Sequence, residues 1–304
     1  MPSLRTELCG VRMTNPLVLA SGVWGLTGGN LVRAAKEGAG AVTSKSCSLQ
    51  PRRGYGNPSV FHWDNAVINA MGLCNPGVDE MLDELRFAIK NAGVPVIASA
   101  FGNSFDDYAR MCEKMRSVKP ALIEIDISCP HHEPGKKVAK PFACVARDAA
   151  QVTEVSKEAC GKVPLCVKLS PNVSDIGEIA KAVEGAGADA ICAINSVKAM
   201  VIDVDARRPV LANKVGGLSG PAINPIAVRA VYDVRNAVEI PIIGTGGVTT
   251  GRDAIAMLMA GATAVGVGSA IAFRDRVFKR IAEEMEIFMR DKGYAKLSQI
   301  KLEE

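Results

Sequence analysis

Eight short apolar runs recur along this chain, and a stretch of helical character follows each of them. The runs are Leu17–Ser21, Ala41–Lys45, Pro95–Ala100, Leu122–Ser128, Pro164–Ser170, Ala190–Asn195, Pro241–Gly246 and Ala264–Ser269. Nearly continuous apolar strands that alternate with helices indicate a parallel sheet that is buried on both faces. This alternation restricts the fold to a closed barrel or an open, doubly wound sheet.

The junctions between helices and strands favour the barrel. Three segments each end a helix with glycine and start a strand, at residues 37–42, 184–191 and 260–265. A helix–glycine–strand unit repeated around a circuit is typical of an α/β fold of the (β/α)8 TIM-barrel type, for which about 250 residues suffice. The doubly wound sheet is the weaker alternative because no Gly-x-Gly-x-x-Gly follows the first run. We therefore predict one domain, residues 1–304.

Charge and cysteine content exclude several function classes. The net charge of +4 is small and evenly spread, so nucleic acid is not an expected partner. The 9 cysteines include no Cys-x-x-Cys pair, which favours a reducing cytoplasm and argues against an iron–sulfur cluster or structural zinc in this chain. Ala254–Phe273 lacks charge, but Gly261 and Thr263 divide it, so we predict a helix and a strand rather than a membrane span.

A cysteine stands where the fourth run opens into a loop. Leu122–Ser128 has strand character, and Cys129 and Pro130 follow it. The loop continues to about Pro141 with Pro, Gly and Lys residues. A thiol at the mouth of a strand is a candidate for chemistry, although a free cysteine is more often a small buried hydrophobe.

Glycines and lysines at the strand ends point to an anionic ligand. Gly244–Gly247 ends the seventh run and Gly266–Ser269 ends the eighth, where barrels often bind phosphate through backbone N–H groups. Lys45 ends the second run, and Lys168 lies within the fifth. A lysine in such a place forms a structural ion pair, forms a Schiff base, or stands beside an anionic cofactor.

Amide groups supply a third set of candidates. The segment Asn69–Asn75 and the pair Asn195 and Ser196 offer donors and acceptors together, which suits a pyrimidine. Turn capping by each asparagine is the alternative. The run His131-His132-Glu133 is a poor metal motif because adjacent histidines rarely converge on one ion.

Ten blocks in one order give the chain a family resemblance: it resembles class 1 dihydroorotate dehydrogenases, especially the B-type catalytic (FMN) subunit. The blocks are Asn15–Gly22, Thr43–Ser46, Pro51-Arg52, Asn69–Leu73, Asn75–Gly77, Ile127–Pro130, Val167–Asp175, Pro209–Asn213, Gly216–Ala222 and Gly244–Gly247. The resemblance implies an FMN-containing barrel that oxidises dihydroorotate to orotate in pyrimidine synthesis.

The resemblance also implies roles for individual residues. Cys129 is the implied base at C5, hydride leaves C6 for FMN, and Lys168 is the implied partner of the reduced flavin. The implied FMN-binding residues are Ser21, Lys45, Ser46, Ser99, Asp126, Lys168, Ile194, Gly220, Gly246, Gly247, Gly268 and Ser269. The implied substrate-binding residues are Lys45, Asn69, Met71, Gly72, Leu73, Asp126, Asn195 and Ser196.

Two residues depart from the family pattern. Asp126 and His131 stand where the family usually has asparagine. An ionised Asp126 accepts hydrogen bonds but donates none, so it is protonated, faces a donor, or serves a different ligand. Cys-Pro-His also occurs in dihydropyrimidine dehydrogenase domains, which makes an enzyme of dihydrouracil the first alternative. A Schiff-base lyase that uses Lys168 and a non-catalytic FMN-binding protein are the others.

The electron acceptor lies outside this chain. The B-type resemblance implies a homodimer core with a partner subunit that carries FAD and an iron–sulfur cluster and passes electrons to NAD. A homodimer that reduces fumarate is the alternative. The quinone-linked class has a membrane-associating N-terminal extension, and only a short segment precedes Leu17 here, so we expect a cytoplasmic enzyme without membrane attachment.

Overall fold

A closed barrel of parallel strands forms the centre of the protein. The computed structural model describes residues 2–128 and 141–303. The barrel strands are β1 Leu17–Leu19, β2 Ala41–Thr43, β3 Val96–Ala100, β4 Leu122–Asp126, β5 Leu165–Lys168, β6 Ala190–Ala193, β7 Ile242–Thr245 and β8 Ala264–Val267. They pair in chain order, and β8 closes the circuit on β1. The (β/α)8 prediction is confirmed, and each strand lies inside a predicted run.

A helix follows every strand and packs outside the barrel. The helices are α1 Gly28–Lys36, α2 Val78–Asn91, α3 Phe105–Arg116, α4 Ala146–Cys160, α5 Ile176–Gly185, α6 Asn224–Arg235, α7 Gly251–Met259 and α8 Val277–Asp291. Thr27, Ser104, Asp175 and Thr250 cap four of them by accepting a backbone N–H of the first turn. Six of the described helices exit through a glycine with positive φ, at Gly38, Gly93, Gly161, Gly187, Gly261 and Gly293.

Alternate residues of each strand face different surroundings. In β4, Ile123 and Ile125 join the cluster that faces the helices, whereas Leu122 joins an apolar cluster inside the barrel. Leu8 and Met13 belong to that inner cluster; they come from the hairpin Thr6–Leu8 and Val11–Met13. The hairpin therefore closes the N-terminal end of the barrel.

Two long loops build a sheet above the carboxyl ends of the barrel strands. Val60–Trp63 and Ala66–Asn69 follow β2, and Val197–Ala199 and Gly216–Ser219 follow β6. They pair antiparallel in one four-stranded sheet, and Ile202–Asp203 pairs separately with Arg208–Pro209. No local pattern in the sequence indicates these strands, because they are short and their partners lie far away along the chain.

The remaining described elements are short turns. Single 3-10 turns occupy Phe142–Cys144, Pro221–Ile223, Ser269–Ala272 and Leu297–Gln299. The uncharged run Ala254–Phe273 is divided as predicted, since α7 ends at Met259 and β8 begins at Ala264. Among the residues that the structure describes, no helix has the length and apolar character needed to cross a bilayer.

The barrel floor supplies a test of stability. Leu8 is fully buried, so replacement with alanine removes apolar contacts and leaves a cavity. We expect Leu8→Ala to lower the free energy of unfolding by about 2–5 kcal/mol in urea titrations followed by circular dichroism. The matched control is Val204→Ala, at a side chain that is 77% exposed, which we expect to change stability by less than about 0.5 kcal/mol. Equal effects of the two substitutions would contradict a closed floor.

Candidate active site

A cavity of about 1460 Å³ opens at the carboxyl ends of the barrel strands, beneath the four-stranded sheet. Most of the predicted site residues meet in its wall. They are Ser21, Lys45, Ser46, Asn69, Met71, Gly72, Leu73, Asp126, Lys168, Ile194, Asn195, Ser196, Gly246, Gly247, Gly268 and Ser269. The chain separates these residues by up to 248 positions, and the barrel brings them together because all parallel strands end at the same face.

Lys168 is the buried cation of this wall. It ends β5, is 5% exposed, and its Nζ donates to Ser21 Oγ at 2.9 Å. Ser21 lies just after β1, on the far side of the barrel from β5, so the bond crosses the mouth. Lys45 follows β2 and is partly buried, and its backbone N–H donates to Gly25 O at 2.8 Å. The wall thus carries two positive side chains from different strands.

The ends of β7 and β8 bring backbone close to the cavity. Gly246 and Gly247 have φ of +138° and +71°, conformations that residues with a Cβ rarely adopt. A Cβ on Gly247 would also lie 2.7 Å from Asn224 N at the start of α6. At Gly268 an added Cβ would meet only Ala20 Cβ, at 3.7 Å, and otherwise open space. These glycines leave backbone N–H groups accessible to an anion.

A buried chain of polar groups leads from the wall into the barrel. Ser46 Oγ lies 2.9 Å from Ser99 Oγ, and Ser99 Oγ donates to Glu124 Oε1 at 2.9 Å. Ser99 and Glu124 are 0% and 2% exposed, so of these three only Ser46 reaches the cavity. Ser99, predicted to bind the cofactor, therefore lies behind the wall and contacts it through Ser46.

Gly220 also lies outside the cavity wall. It follows the strand Gly216–Ser219 with φ of +95° and begins the turn into the 3-10 segment Pro221–Ile223. A Cβ there would lie 3.2 Å from Ala66 Cα. Glycine at this position is therefore explained by the positive φ of the backbone and by the close packing of two strands.

Asp126 joins a compact polar cluster. Its Oδ1 accepts from Ser128 N at 3.0 Å and from Ser128 Oγ at 2.5 Å. Asn195 Nδ2 lies 3.2 Å from Asp126 Oδ2 and 2.5 Å from Ser128 Oγ. Asn195 Oδ1 accepts from Ser196 N at 2.7 Å. Of the three possibilities for Asp126, the structure shows that it faces donors.

The loop after β2 supplies a tight turn to the cavity wall. Gly72 and Leu73 have left-handed φ of +67° and +56°. Asn69 Nδ2 donates to Gly217 O at 3.4 Å, which links this loop to the strand Gly216–Ser219. A Cβ on Gly217 would lie 2.0 Å from Ser196 Oγ, so glycine is required for this close approach.

The wall also includes polar residues for which the sequence analysis proposed no role. They are Arg52, Tyr55, Ser128, Ser170, Asn172, Lys198 and Thr245. Ser128 and Ser170 stand two residues after β4 and β5, and Thr245 ends β7, which is the signal that could have identified them. The predicted base Cys129 and its neighbour His131 lie outside the described residues. Among the described residues, no group of three His, Cys, Asp or Glu side chains could hold a metal ion.

Three buried thiols are held neutral. Burial raises the pKa of Cys192 to about 12, and the carboxylate of Glu124 contributes in the same direction. Burial likewise raises the pKa of Cys47 to about 12 and that of Cys166 well above its ordinary value. A thiol acts as base or nucleophile in its ionised form, so these three residues are structural.

Comparison with known proteins agrees with the geometry. A family model described as dihydroorotate dehydrogenase matches residues 3–289. The chain is 46% identical over 295 residues to the dihydroorotate dehydrogenase B (NAD(+)) catalytic subunit of Methanosarcina acetivorans, covering 97% of this chain and 94% of that relative. The catalytic subunits of the same name from Pyrococcus abyssi and Thermoplasma acidophilum are each 43% identical over 298 residues. Those alignments cover 98% and 97% of this chain, and 97% and 96% of the relatives.

The thiol assignment predicts a pattern of chemical labelling. With a pKa of about 12, about one Cys192 thiol in ten thousand is ionised at pH 8. We therefore expect Ellman's reagent to leave Cys47, Cys166 and Cys192 unmodified in the native protein at pH 8, and to label all three in urea. Peptide mass mapping gives the measurement, with the partly exposed Cys74 as the reactive control. Native labelling of Cys192 as fast as Cys74 would exclude a neutral, buried thiol.

Proposed function

Because the chain belongs to the dihydroorotate dehydrogenase family, we propose that it oxidises dihydroorotate to orotate in pyrimidine biosynthesis, with FMN as cofactor. The observation that carries the proposal is the buried Lys168 at the wall of a cavity that also collects the glycine-rich ends of β7 and β8. A buried ammonium beside exposed backbone N–H groups suits a ligand with a phosphate and an electron-accepting ring. We further propose that residues 1–304 form one catalytic domain.

The residues present fit FMN. Gly246, Gly247, Gly268 and Ser269 offer backbone N–H groups for its phosphate, at the two barrel strands where phosphate sites commonly occur. Lys168 and Ser21 supply a charged donor and a hydroxyl at the wall between β5 and β1. When bound, FMN would supply the acceptor for a hydride. The protein residues orient it, and the Ser46 hydroxyl adds a polar contact at the wall.

A dihydroorotate molecule would lie between the loop after β2 and the residues after β6. Lys45 supplies a positive charge for the substrate carboxylate. Asn69 and the turn at Gly72 and Leu73 supply amide and backbone donors on that side. Asn195 and Ser196 supply polar groups on the other side.

We assign the proton abstraction to Cys129, which follows the cavity residue Ser128 directly in the chain. Its thiolate takes the C5 proton, and the electron pair of that C–H bond forms the C5=C6 double bond. The C6 hydrogen leaves with its own electron pair. Three buried thiols are poor candidates for this role, since burial keeps Cys47, Cys166 and Cys192 protonated.

One observation favours a second substrate. The carboxyl group of Asp126 lines the cavity, and a carboxylate there repels an anionic ring substituent. Dihydrouracil has the same ring without the carboxylate. Lys45, Lys168 and Arg52 lie in the same wall and offset this repulsion, which is why dihydroorotate is the first choice.

The relatives are named as catalytic subunits, which implies a partner subunit. We propose that a homodimer of this chain passes electrons to a cytoplasmic subunit that carries FAD and an iron–sulfur cluster and reduces NAD. Purification from the native source would test this, because an iron-containing protein should then accompany the chain. Efficient fumarate reduction by the isolated chain would instead favour the homodimer alone.

The substrate assignment predicts the response of the flavin spectrum. We expect the purified protein to be yellow, and its flavin bands to bleach during anaerobic titration with dihydroorotate. Dihydrouracil is the matched comparison, since it lacks only the carboxylate that Lys45 would bind. Bleaching by dihydrouracil alone would reverse the choice of substrate. A colourless protein that borohydride traps on Lys168 would replace the dehydrogenase with a lyase.

The base assignment predicts the effect of removing one thiol. We expect Cys129→Ala to retain flavin and to slow its reduction by dihydroorotate by about 10²–10⁴-fold in stopped-flow measurements. In the unsubstituted protein, the rate should rise with pH as the thiol ionises, near pH 8.5 if its pKa is unperturbed. The control is Cys9→Ala at the closed end of the barrel, which should leave the rate unchanged. A flat pH profile would exclude a thiolate base.

A further inference from the structure

Glu124 is a buried carboxylate inside the barrel, beneath the cavity wall. It lies on β4 two residues before Asp126, so the two side chains leave the strand on the same side, towards the barrel interior. Only 2% of Glu124 is exposed. Its hydrogen-bond partners are neutral: Ser99 Oγ donates to Glu124 Oε1 at 2.9 Å, and the Cys192 thiol forms a side-chain hydrogen bond with the same carboxylate. Neither cofactor binding nor proton abstraction, as proposed above, uses this residue.

Few ionisable groups surround Glu124. The strands β1, β2, β3, β7 and β8 contain no ionisable side chain. The ionisable side chains that the other strands and the hairpin below contribute are Cys166 and Lys168 of β5, Cys192 of β6, Asp126 of β4 itself, and Cys9. Burial keeps the thiols protonated. The charges that these elements bring to the surroundings of Glu124 are therefore those of Lys168 and Asp126.

Two serines connect Glu124 to the cavity through hydrogen bonds that run in one direction. A serine hydroxyl has a single proton, and Ser99 donates its proton to Glu124 Oε1. At the 2.9 Å contact between Ser46 Oγ and Ser99 Oγ, Ser46 must therefore be the donor. Ser46 lines the cavity, so its oxygen offers only lone pairs to a group there. This chain can accept a proton at its cavity end and deliver one to Glu124.

We propose that Glu124 is a proton store for the active site, which takes up a proton from the cavity through Ser46 and Ser99 when the bound cofactor is reduced. The inference rests on the proposed function, in which FMN receives a hydride in this cavity. A hydride adds one negative charge to the cofactor. In a site that water screens weakly, a second negative charge favours protonation of a carboxylate whose partners are neutral.

The uptake consists of proton shifts along two hydrogen bonds. A proton that reaches the cavity from solvent binds Ser46 Oγ, the original Ser46 proton moves to Ser99 Oγ, and the original Ser99 proton moves to Glu124 Oε1. Three O–H bonds form and two break, and no residue is oxidised or reduced. Afterwards the carboxyl group is neutral and both hydroxyls donate towards the cavity. Loss of the electrons from the cofactor reverses the sequence and returns the proton.

Infrared difference spectroscopy of the FMN-loaded protein tests the proton store. The oxidised protein is compared with the electrochemically reduced protein, so no substrate is required. We expect the C=O stretch of a protonated carboxyl group to appear on reduction of the unsubstituted protein and to be absent from Glu124→Gln. Glutamine keeps the side-chain volume and the acceptor for Ser99, so the barrel should remain folded. The matched control is Asp126→Asn, which removes the other carboxyl group of β4 and should retain the band.

Two further measurements distinguish proton uptake from a purely structural role. The pH dependence of the flavin midpoint potential gives the number of protons bound per two electrons, and we expect about one proton fewer in Glu124→Gln near neutral pH. Ser99→Ala keeps the carboxylate but breaks the chain. After a potential step, we expect the lag between flavin bleaching and the carboxyl band to be about tenfold longer in Ser99→Ala than in the unsubstituted protein.

The outcomes separate this proposal from the proposed function. Absence of the band from the unsubstituted protein, its persistence in Glu124→Gln, or its loss in Asp126→Asn would overturn the proton store. An unchanged lag in Ser99→Ala would overturn the route through the serines. If dihydroorotate fails to bleach the flavin while electrochemical reduction produces the band, the proposed substrate is wrong and the proton store is supported. A protein that binds no flavin would overturn both.

Discussion

Two opposite charges on neighbouring strands are held almost completely out of water at the mouth of the barrel. Asp126 at the end of β4 and Lys168 at the end of β5 are register partners, and each is 5% exposed. Burial of a charge costs free energy unless hydrogen bonds or an opposite charge offset it. Ser128 and Asn195 serve the carboxylate, and Ser21 serves the ammonium, so the geometry of the mouth follows from this requirement.

Along the barrel axis, apolar residues that stabilise the fold lie at the N-terminal end, and polar residues lie towards the mouth. The N-terminal half of the interior is an apolar cluster closed by the hairpin that carries Leu8 and Met13. Polar groups begin above it, with the chain from Glu124 through Ser99 to Ser46. Neutral thiols such as Cys192 occupy the boundary, where burial disfavours their ionised form. A rigid floor allows the mouth to carry polar groups that would destabilise a smaller core.

The neighbours of Asp126 in the structure alter the interpretation of its charge. By charge alone it argues against an anionic substrate, and this is the reason that dihydrouracil remains the competing substrate. In the structure its carboxylate is engaged by donors from Ser128 and Asn195, and the lysines of the same wall offset its charge.

The sequence by itself determined the barrel and the residues at the strand ends. Apolar runs, glycine exits and lysines such as Lys168 are local features, and parallel strands all end at one face, so position after a strand was enough to place most of the cavity wall. Only the tertiary structure decided the sheet above the cavity, since the strands Ala66–Asn69 and Gly216–Ser219 pair across about 150 residues. It likewise placed Ser99 behind the wall and set Asn195 against Asp126, 69 positions away. Hydrogen-bond partners distant in the chain depend on strand register and loop packing, which no local pattern of residues encodes.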